Sequence, residues 1–319
     1  MKRRTFCAGA ATAALAATAP RLAAAAGDTV TILVPFAAGG SGDITARLLG
    51  QFWQEKYGQT VVVENKPGAN GIIGMQAAKA ASADGRTLVL ASTSTFAANP
   101  SLFRSLPYDP EKDFTLVAVL GAGGSYLLVR PEAPWKTVAE FVATAKAKPR
   151  ELTYGYFNAT SQVPGALLAA RAGIELTGVP YRQIGQALTD LTGGQIQCLF
   201  VDTTAGDSAV SSGRLRALGV TSAKRLPRFP DLPTLAESYP GFVVTGNLGI
   251  AVRAETPEAD KLEINRRVDA AIVAEPMKGR LADFGFAVEP LDLPASIAYA
   301  RAERAKWAEY VALAKIEPQ

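Results

Sequence analysis

Strand-length apolar runs alternate with helix-length amphipathic segments along almost the whole chain, and glycine-rich or proline-rich turns separate them. Residues 30–35, 60–64, 87–91 and 114–120 read as strands, with helical spacing over 44–57 and 71–81. The pattern then recurs, with strands at 125–129, 151–155, 196–201 and 215–221 and helices at 137–146, 164–171 and 183–192. Such alternation covers sheets with helices, so the expected class is α/β with largely parallel sheets. Pro and Gly cluster at 227–233 and at Pro240-Gly241, after which 243–252 reads as one more extended segment and 260–274, 277–284 and 296–313 as helices. A chain of 319 residues is long enough for two cores of roughly 100–150 residues each. The expected organisation is a discontinuous first lobe, 27–125 and 248–319, and a second lobe, 126–247. The cleft between them is where open α/β sheets present ligand sites.

The first 26 residues read as an export signal. Lys2, Arg3 and Arg4 precede an alanine-rich, weakly apolar run over 5–19, and Ala23-Ala24-Ala25-Ala26 supplies the small residues that an export peptidase requires. Cleavage is expected near Ala26, which places the protein in the periplasm. The run is shorter than the roughly 20 apolar residues needed to cross a bilayer. Arg3-Arg4-Thr5-Phe6 resembles a twin-arginine signal, whereas Lys2 and Cys7 depart from its usual flanks, so both export routes stay open. Removing this segment takes away four basic residues and no acid, which leaves 29 of each sign and no basic excess for nucleic acid or anionic lipid. Cys198 then stands alone in an apolar strand, a core thiol with no disulfide partner.

Histidine is absent from the sequence. That excludes His-dependent triads, zincin motifs and Cys/His zinc sites. No Gly-Lys-Ser or Gly-Lys-Thr phosphate loop occurs, and no Ser-x-x-Lys spacing supports Ser-Lys chemistry. Neither a metal nor a cofactor is expected.

Two loops have the make-up of anion cradles. In the first, the strand ending at Pro35 runs through Phe36-Ala37-Ala38-Gly39-Gly40-Ser41-Gly42-Asp43 into a helix marked by Ile44, Leu48 and Phe52. Glycines free the backbone there, Ser41 or Asp43 can cap the helix, and unpaired amides at a helix start attract a carboxylate or phosphate. The same residues also suit an ordinary tight turn. In the second, Tyr154-Gly155-Tyr156-Phe157-Asn158-Ala159-Thr160-Ser161 enters a helix that Thr160 or Ser161 can cap, with Pro164 placed in its first turn. Those hydroxyls suit an acid or a cap equally. A third loop, Asp202-Thr203-Thr204, is read first as a cap, with a ligand ammonium as the alternative partner of Asp202. Ser92-Thr93-Ser94-Thr95 is a weaker candidate of the same kind. Neither cradle loop carries a cation, so dipoles would hold the acid.

An ordered set of motifs resembles the Bug family, the extracytoplasmic solute receptors of tripartite tricarboxylate transporters. Pro35-Phe36, Gly39-Gly40 and Asp43 open the series. Val63-Glu64-Asn65-Lys66-Pro67-Gly68-Ala69-Asn70-Gly71 and Tyr108-Asp109-Pro110-Glu111-Lys112-Asp113-Phe114 follow. Val179-Pro180-Tyr181, Ala187-Leu188-Thr189-Asp190-Leu191, Arg216-Ala217-Leu218-Gly219-Val220-Thr221 and Pro233-Thr234-Leu235-Ala236-Glu237 complete it. The resemblance implies a two-lobed Venus flytrap of type II-like build that closes on a carboxylic acid or amino acid without chemistry. Together with the local chemistry of the third and fourth loops it gives Phe36, Ala38, Gly39, Gly40, Ser41, Asp43, Ser92, Asn158, Thr160, Ser161 and Asp202 as ligand-binding candidates. Its implied partners are a large and a small transporter membrane subunit and, in some members, a sensor kinase; the receptor itself is expected to be a monomer.

The chain departs from the family pattern in four places. Ala37-Ala38 stands where proline is common, and the second loop is one residue short. Val163-Pro164 replaces a histidine-containing step, and Tyr156-Phe157 sits where small residues are common. Two other functions compete: a receptor that presents its closed form to a sensor kinase, and a secreted carboxylate-only hydrolase or transferase using the 39–43 loop as an oxyanion site.

Overall fold

The computed structural model describes residues 29–319; the export segment and its cleavage point lie outside the described residues. β1 (Val30–Val34) is wholly apolar but for Thr31, and its last three residues are fully buried. That composition suits the middle of a sheet covered on both faces. It pairs in parallel with β2 (Val61–Asn65) on one side and β3 (Thr87–Ser92) on the other. α1 (Ser41–Tyr57) and α2 (Ile72–Ala80) make the crossovers. Beyond β3 a buried π-type turn, Ser94–Ala98, leads into the short α3 (Asn99–Leu102). The hydroxyls of Ser92-Thr93-Ser94-Thr95 predict a loop there, but Phe96, Ala97, Ala98 and Leu102 bury against the core and the chain from Ser94 folds into helical turns.

β4 (Phe114–Gly123) ends the first half, and Gly124 alone separates it from β5 (Ser125–Val129). Here the chain passes from one sheet to the other. A Cβ on Gly124 would lie 2.7 Å from the Ser222 amide, so only glycine fits the crossing. The second sheet is assembled from β5, then α4 (Val138–Ala147), β6 (Thr153–Tyr156), α5 (Ala159–Ala172), β7 (Thr177–Pro180), α6 (Ile184–Thr192), β8 (Cys198–Asp202), α7 (Thr203–Ser211) and β9 (Arg216–Val220). After the short α8 (Leu235–Ser238), β10 (Gly246–Arg253) returns to the first sheet, and α9 (Glu258–Ile272), α10 (Met277–Asp283) and α11 (Leu293–Leu313) close the chain.

The sheet orders are β2-β1-β3-β10-β4 and β7-β6-β8-β5-β9. In each, a single strand runs against the rest: β10 pairs antiparallel with both β3 and β4, and β5 with both β8 and β9. The reversed strand is in each case the first one entered from the other sheet. The two sheets flanked by helices therefore follow one plan, with parallel strands except at the point of crossing.

Each sheet has buried apolar clusters on its faces. Ile32, Leu88, Leu120 and Val268 belong to one cluster of the first sheet, and Met75, Tyr108 and Phe114 to another. Phe141, Leu168, Phe200 and Phe242 pack on the second sheet. Trp307, fully buried in α11, joins that same cluster, so the terminal helix packs against α5 as well as against β4 of the first sheet. Cys198 is buried there, and burial pushes its thiol far above the usual range.

Candidate functional site

A cavity of about 360 Å³ lies where the strand ends of both sheets meet, within the range of roughly 300–1,000 Å³ usual for small-molecule sites. Its walls include Phe36, Gly40, Ser41, Ser92, Asn158 and Asp202.

The first wall is the β1–α1 turn. Gly39 has φ +81°, a left-handed conformation that glycine accepts without strain. The first backbone bond of α1 runs from the Ile44 amide to the Gly40 carbonyl at 3.0 Å. Helix geometry thus leaves the Ser41, Gly42 and Asp43 amides without helical acceptors at the cavity end of a 17-residue helix. Neither Ser41 nor Asp43 caps this helix; its N-cap is Gly40, with no side-chain cap. Asp43 folds back instead, accepting the Gly39 amide at 2.9 Å and Arg47 Nε at 3.0 Å. Burial alone would raise its carboxyl, but these hydrogen bonds outweigh it and hold Asp43 below its usual value. Gly42 lies so close to the sheet that a Cβ would come within 2.3 Å of Leu90 Cδ2.

The second wall is the β6–α5 loop. Asn158 is the N-cap of α5, accepting the Ser161 amide at 3.0 Å, while Ser161 Oγ accepts the Asn158 amide at 3.1 Å. This reciprocal capping box overturns the assignment of the cap to Thr160 or Ser161. Pro164 is in the helix interior and not in its first turn, since α5 begins five residues earlier at Ala159. The Ala159 amide donates across to Ser94 Oγ at 3.3 Å. Thr93 Oγ1 and the Asn247 side chain are bonded at 2.5 Å, which ties the end of β3 to β10.

The third wall holds the charges. Asp202 ends β8 and caps α7, its Oδ1 accepting the Ala205 amide at 2.9 Å. Burial raises its carboxyl, an effect that the Ala205 amide and the Ser41 hydroxyl partly offset. The β7–α6 turn contributes Tyr181, Arg182, Gln183 and Ile184. Tyr181 is pinned by its amide to the Tyr156 carbonyl at 2.7 Å and by its hydroxyl to Asp190 Oδ2 at 2.9 Å. Burial and the Asp190 carboxylate push that phenol up to about 12.

Of the candidates read from sequence, Phe36, Gly40, Ser41, Ser92, Asn158, Thr160 and Asp202 line this cavity. Ala38 and Gly39 are exposed on the outer side of the turn, Asp43 is turned into the loop, and Ser161 is buried in its capping box. Sequence reasoning missed Asn70 and its loop, Arg182, Asn247 and Phe286. The signals for the first two were present, in Pro67-Gly68-Ala69-Asn70-Gly71 before a helix and in Tyr181-Arg182-Gln183 after a strand. Asn247 and Phe286 reach the cavity through the return of the chain to the first sheet, which no local pattern marks. Among the described residues no group of three or more His, Cys, Asp or Glu side chains converges to hold a metal ion, and no helix is long and apolar enough to cross a membrane.

A family model described as the tripartite tricarboxylate transporter family receptor, TctC, matches residues 45–312. The chain belongs to the TctC receptor family. Among its TctC relatives, BugT of Bordetella pertussis is 34% identical over 247 residues, which cover 76% of this chain and 76% of that protein. The solved structure of R. palustris Rpa4515 with adipate superposes with a TM-score of 0.88 at 30% identity, covering 91% of this chain and 98% of that one. The periplasmic binding protein BugD superposes with a TM-score of 0.85 at 30% identity, covering 91% and 99%. The TctC receptors are periplasmic solute-binding proteins of two lobes, and the expected fold and family are both met.

Proposed function

We propose that the cavity captures a small carboxylate-bearing metabolite and that the loaded receptor delivers it to the large and small membrane subunits of a tripartite transporter. The observation that carries this reading is the convergence of two helix starts on one cavity. The free amides of α1 and the Asn158-capped entrance of α5 both face it, with Ser41, Ser92 and Thr160 beside them. Aligned amides and hydroxyls hold an anion without the desolvation cost of a buried cation. Rpa4515, a relative of the same build, was solved with adipate. The cavity is complete within one chain, which supports a monomeric receptor. Export with cleavage near Ala26 belongs to the same reading, and the ligand leaves unchanged.

The test is a thermal-shift and calorimetric screen of the mature protein against amino acids, dicarboxylates and aromatic acids, with mass spectrometry of copurifying small molecules. A ligand that binds only the folded cleft raises the melting temperature by mass action. A carboxylate that stabilises the protein and is recovered chemically intact supports the proposal. Folded protein that answers to no acid in the screen, or that converts one, overturns it.

A further inference from the structure

Asn247 stands at the start of β10, where the chain re-enters the first sheet, and it lines the cavity. It is the buried asparagine of the lining, 5% exposed, whereas Asn70 and Asn158 are partly exposed. The Thr93 hydroxyl fixes which way its side chain points. Thr93 Oγ1 accepts the Asn247 backbone amide at 2.7 Å and returns its own proton to Asn247 Oδ1. With the oxygen claimed, Nδ2 is turned away from Thr93. It has no hydrogen-bond partner among the described residues, yet it is not sealed off from solvent as an orphaned atom. β3 and β4 flank β10 on either side, and the cavity is the open space that this side chain borders. Two amide protons are thus left for whatever fills the cavity, since a buried donor without an acceptor is costly.

The surroundings decide what kind of acceptor suits it. Leu248 and Phe286 adjoin Asn247 in the lining, and a carboxylate placed among them would exchange its hydration for one uncharged donor group. An uncharged oxygen loses far less on entering. The carboxylate already has its own place at the α1 amides. β3 lies between β1 and β10, so the strands that carry these two donor sets are about 10 Å apart, two strand spacings. We infer that Asn247 is a specificity-determining residue, oriented by Thr93, that selects acids bearing an uncharged oxygen, carbonyl or hydroxyl, on the skeleton at a distance from the carboxylate. The inference rests on the proposed carboxylate-receptor function and deepens it. A site built to hydrogen-bond an oxygen rejects the analogue that lacks it, because the donor is then left unpaired.

The experiment titrates matched acids by calorimetry: pentanoate against 4-oxopentanoate and 4-hydroxypentanoate, phenylacetate against 4-hydroxyphenylacetate, and adipate against 3-oxoadipate and 3-hydroxyadipate. Wild-type protein, Asn247→Leu and Asn247→Asp are compared, with circular dichroism and melting temperature as the check on folding. In the wild type at least one oxygenated acid should bind tenfold or more tighter than its parent. Asn247→Leu keeps the shape without the donors and should bring that acid within threefold of its parent. Asn247→Asp keeps an acceptor for Thr93 and puts a second one where Nδ2 stood. There the oxo acid should fall to its parent's affinity or below, whereas the hydroxy acid, which has a proton to donate, keeps part of its preference. Each ratio is taken within one protein, so the general weakening caused by the added charge cancels. Wild-type protein that binds every parent as tightly as its oxygenated partner overturns the role of Asn247, and this arm needs no variant to fold. An oxo preference that survives in folded Asn247→Leu or Asn247→Asp does the same. Both results leave the carboxylate receptor standing, whereas folded wild-type protein that binds no acid of any kind overturns both.

Discussion

The carboxylate of Asp202 accepts the Ala205 amide at 2.9 Å and so caps α7 from within the wall of the cavity. One side chain thus begins a helix and borders a ligand site, and the first duty limits the second. An acid that already holds helix amides has little capacity left for a ligand ammonium.

The Asp202 pair of variants separates these duties. Asp202→Asn keeps an acceptor for the helix and should leave carboxylate affinity within threefold, whereas Asp202→Ala should cost about 1 kcal/mol of stability through the lost cap. Burial raises this carboxyl, so the folded state holds the proton more tightly than the unfolded one. Its contribution to stability therefore declines as pH rises from about 3.8 through the folded pKa. Asp202→Asn should remove that decline, as read from urea midpoints between pH 4 and pH 8. An amino-acid ligand that loses more than tenfold in Asp202→Asn would instead identify the acid as an ammonium partner.

Gly40 and Gly42 sit two residues apart and should respond oppositely. Gly40 has extended φ and ψ and its added Cβ would meet only the Ala37 carbonyl, at 3.5 Å, so Gly40→Asp fits the fold and even supplies a good N-cap. It claims the amides offered to the ligand and adds a negative charge beside them. Melting temperature should hold while carboxylate affinity falls at least about tenfold, the factor that 1.4 kcal/mol represents. Gly42→Ala pushes a methyl into buried Leu90 and should cost about 1–3 kcal/mol of stability. Thermal melts and calorimetry on both variants check the contrast.

Asp43 should act through the shape of the first loop. Its carboxylate is held below its usual 3.8 by the Arg47 and Gly39 hydrogen bonds, so its stabilising contribution is complete above that pH and is lost as pH falls through the lower folded value. Asp43→Asn should cost about 1.5–3 kcal/mol at pH 7, the worth of charge-assisted hydrogen bonds, and should flatten the loss of stability below pH 4. Acid denaturation curves of the two proteins provide the measurement.

Ser161 and Thr160 are neighbours with different surroundings. Ser161 is buried in the capping box and Thr160 lines the cavity. Ser161→Ala should lower stability by about 0.5–2 kcal/mol, with affinity falling only as far as the helix entrance loosens. Thr160→Val keeps the shape, removes a hydroxyl from the wall and should weaken ligand binding with little change in the melting temperature. The reverse pattern in melts and titrations would reassign the two hydroxyls.

Much of the fold was legible in the chain because its signals are local. β1, β3 and β5 announce themselves as apolar runs, and Gly58 and Gly173 end α1 and α5 in left-handed conformations that glycine permits. The missed elements are those whose formation depends on neighbours distant in sequence. The turn at 94–98 is helical because Phe96 and Ala97 bury in the core, while β7, short and largely exposed, exists through its pairing with β6.

For the site, the sequence by itself determined the materials: glycine turns that open onto helix starts, hydroxyls beside them, and no histidine for general-base or metal chemistry. Backbone dihedral preferences and side-chain chemistry are properties of single residues and near neighbours, so they are encoded there. Only the tertiary structure decided how each polar group is used. Asp43 bonds the Gly39 amide, Ser161 closes on Asn158, and Arg182 lines one cavity with Ser41 and Phe286, each more than one hundred positions away. Those outcomes depend on which acceptor or donor is nearest after two sheets have packed, and spatial proximity between distant segments is created by folding.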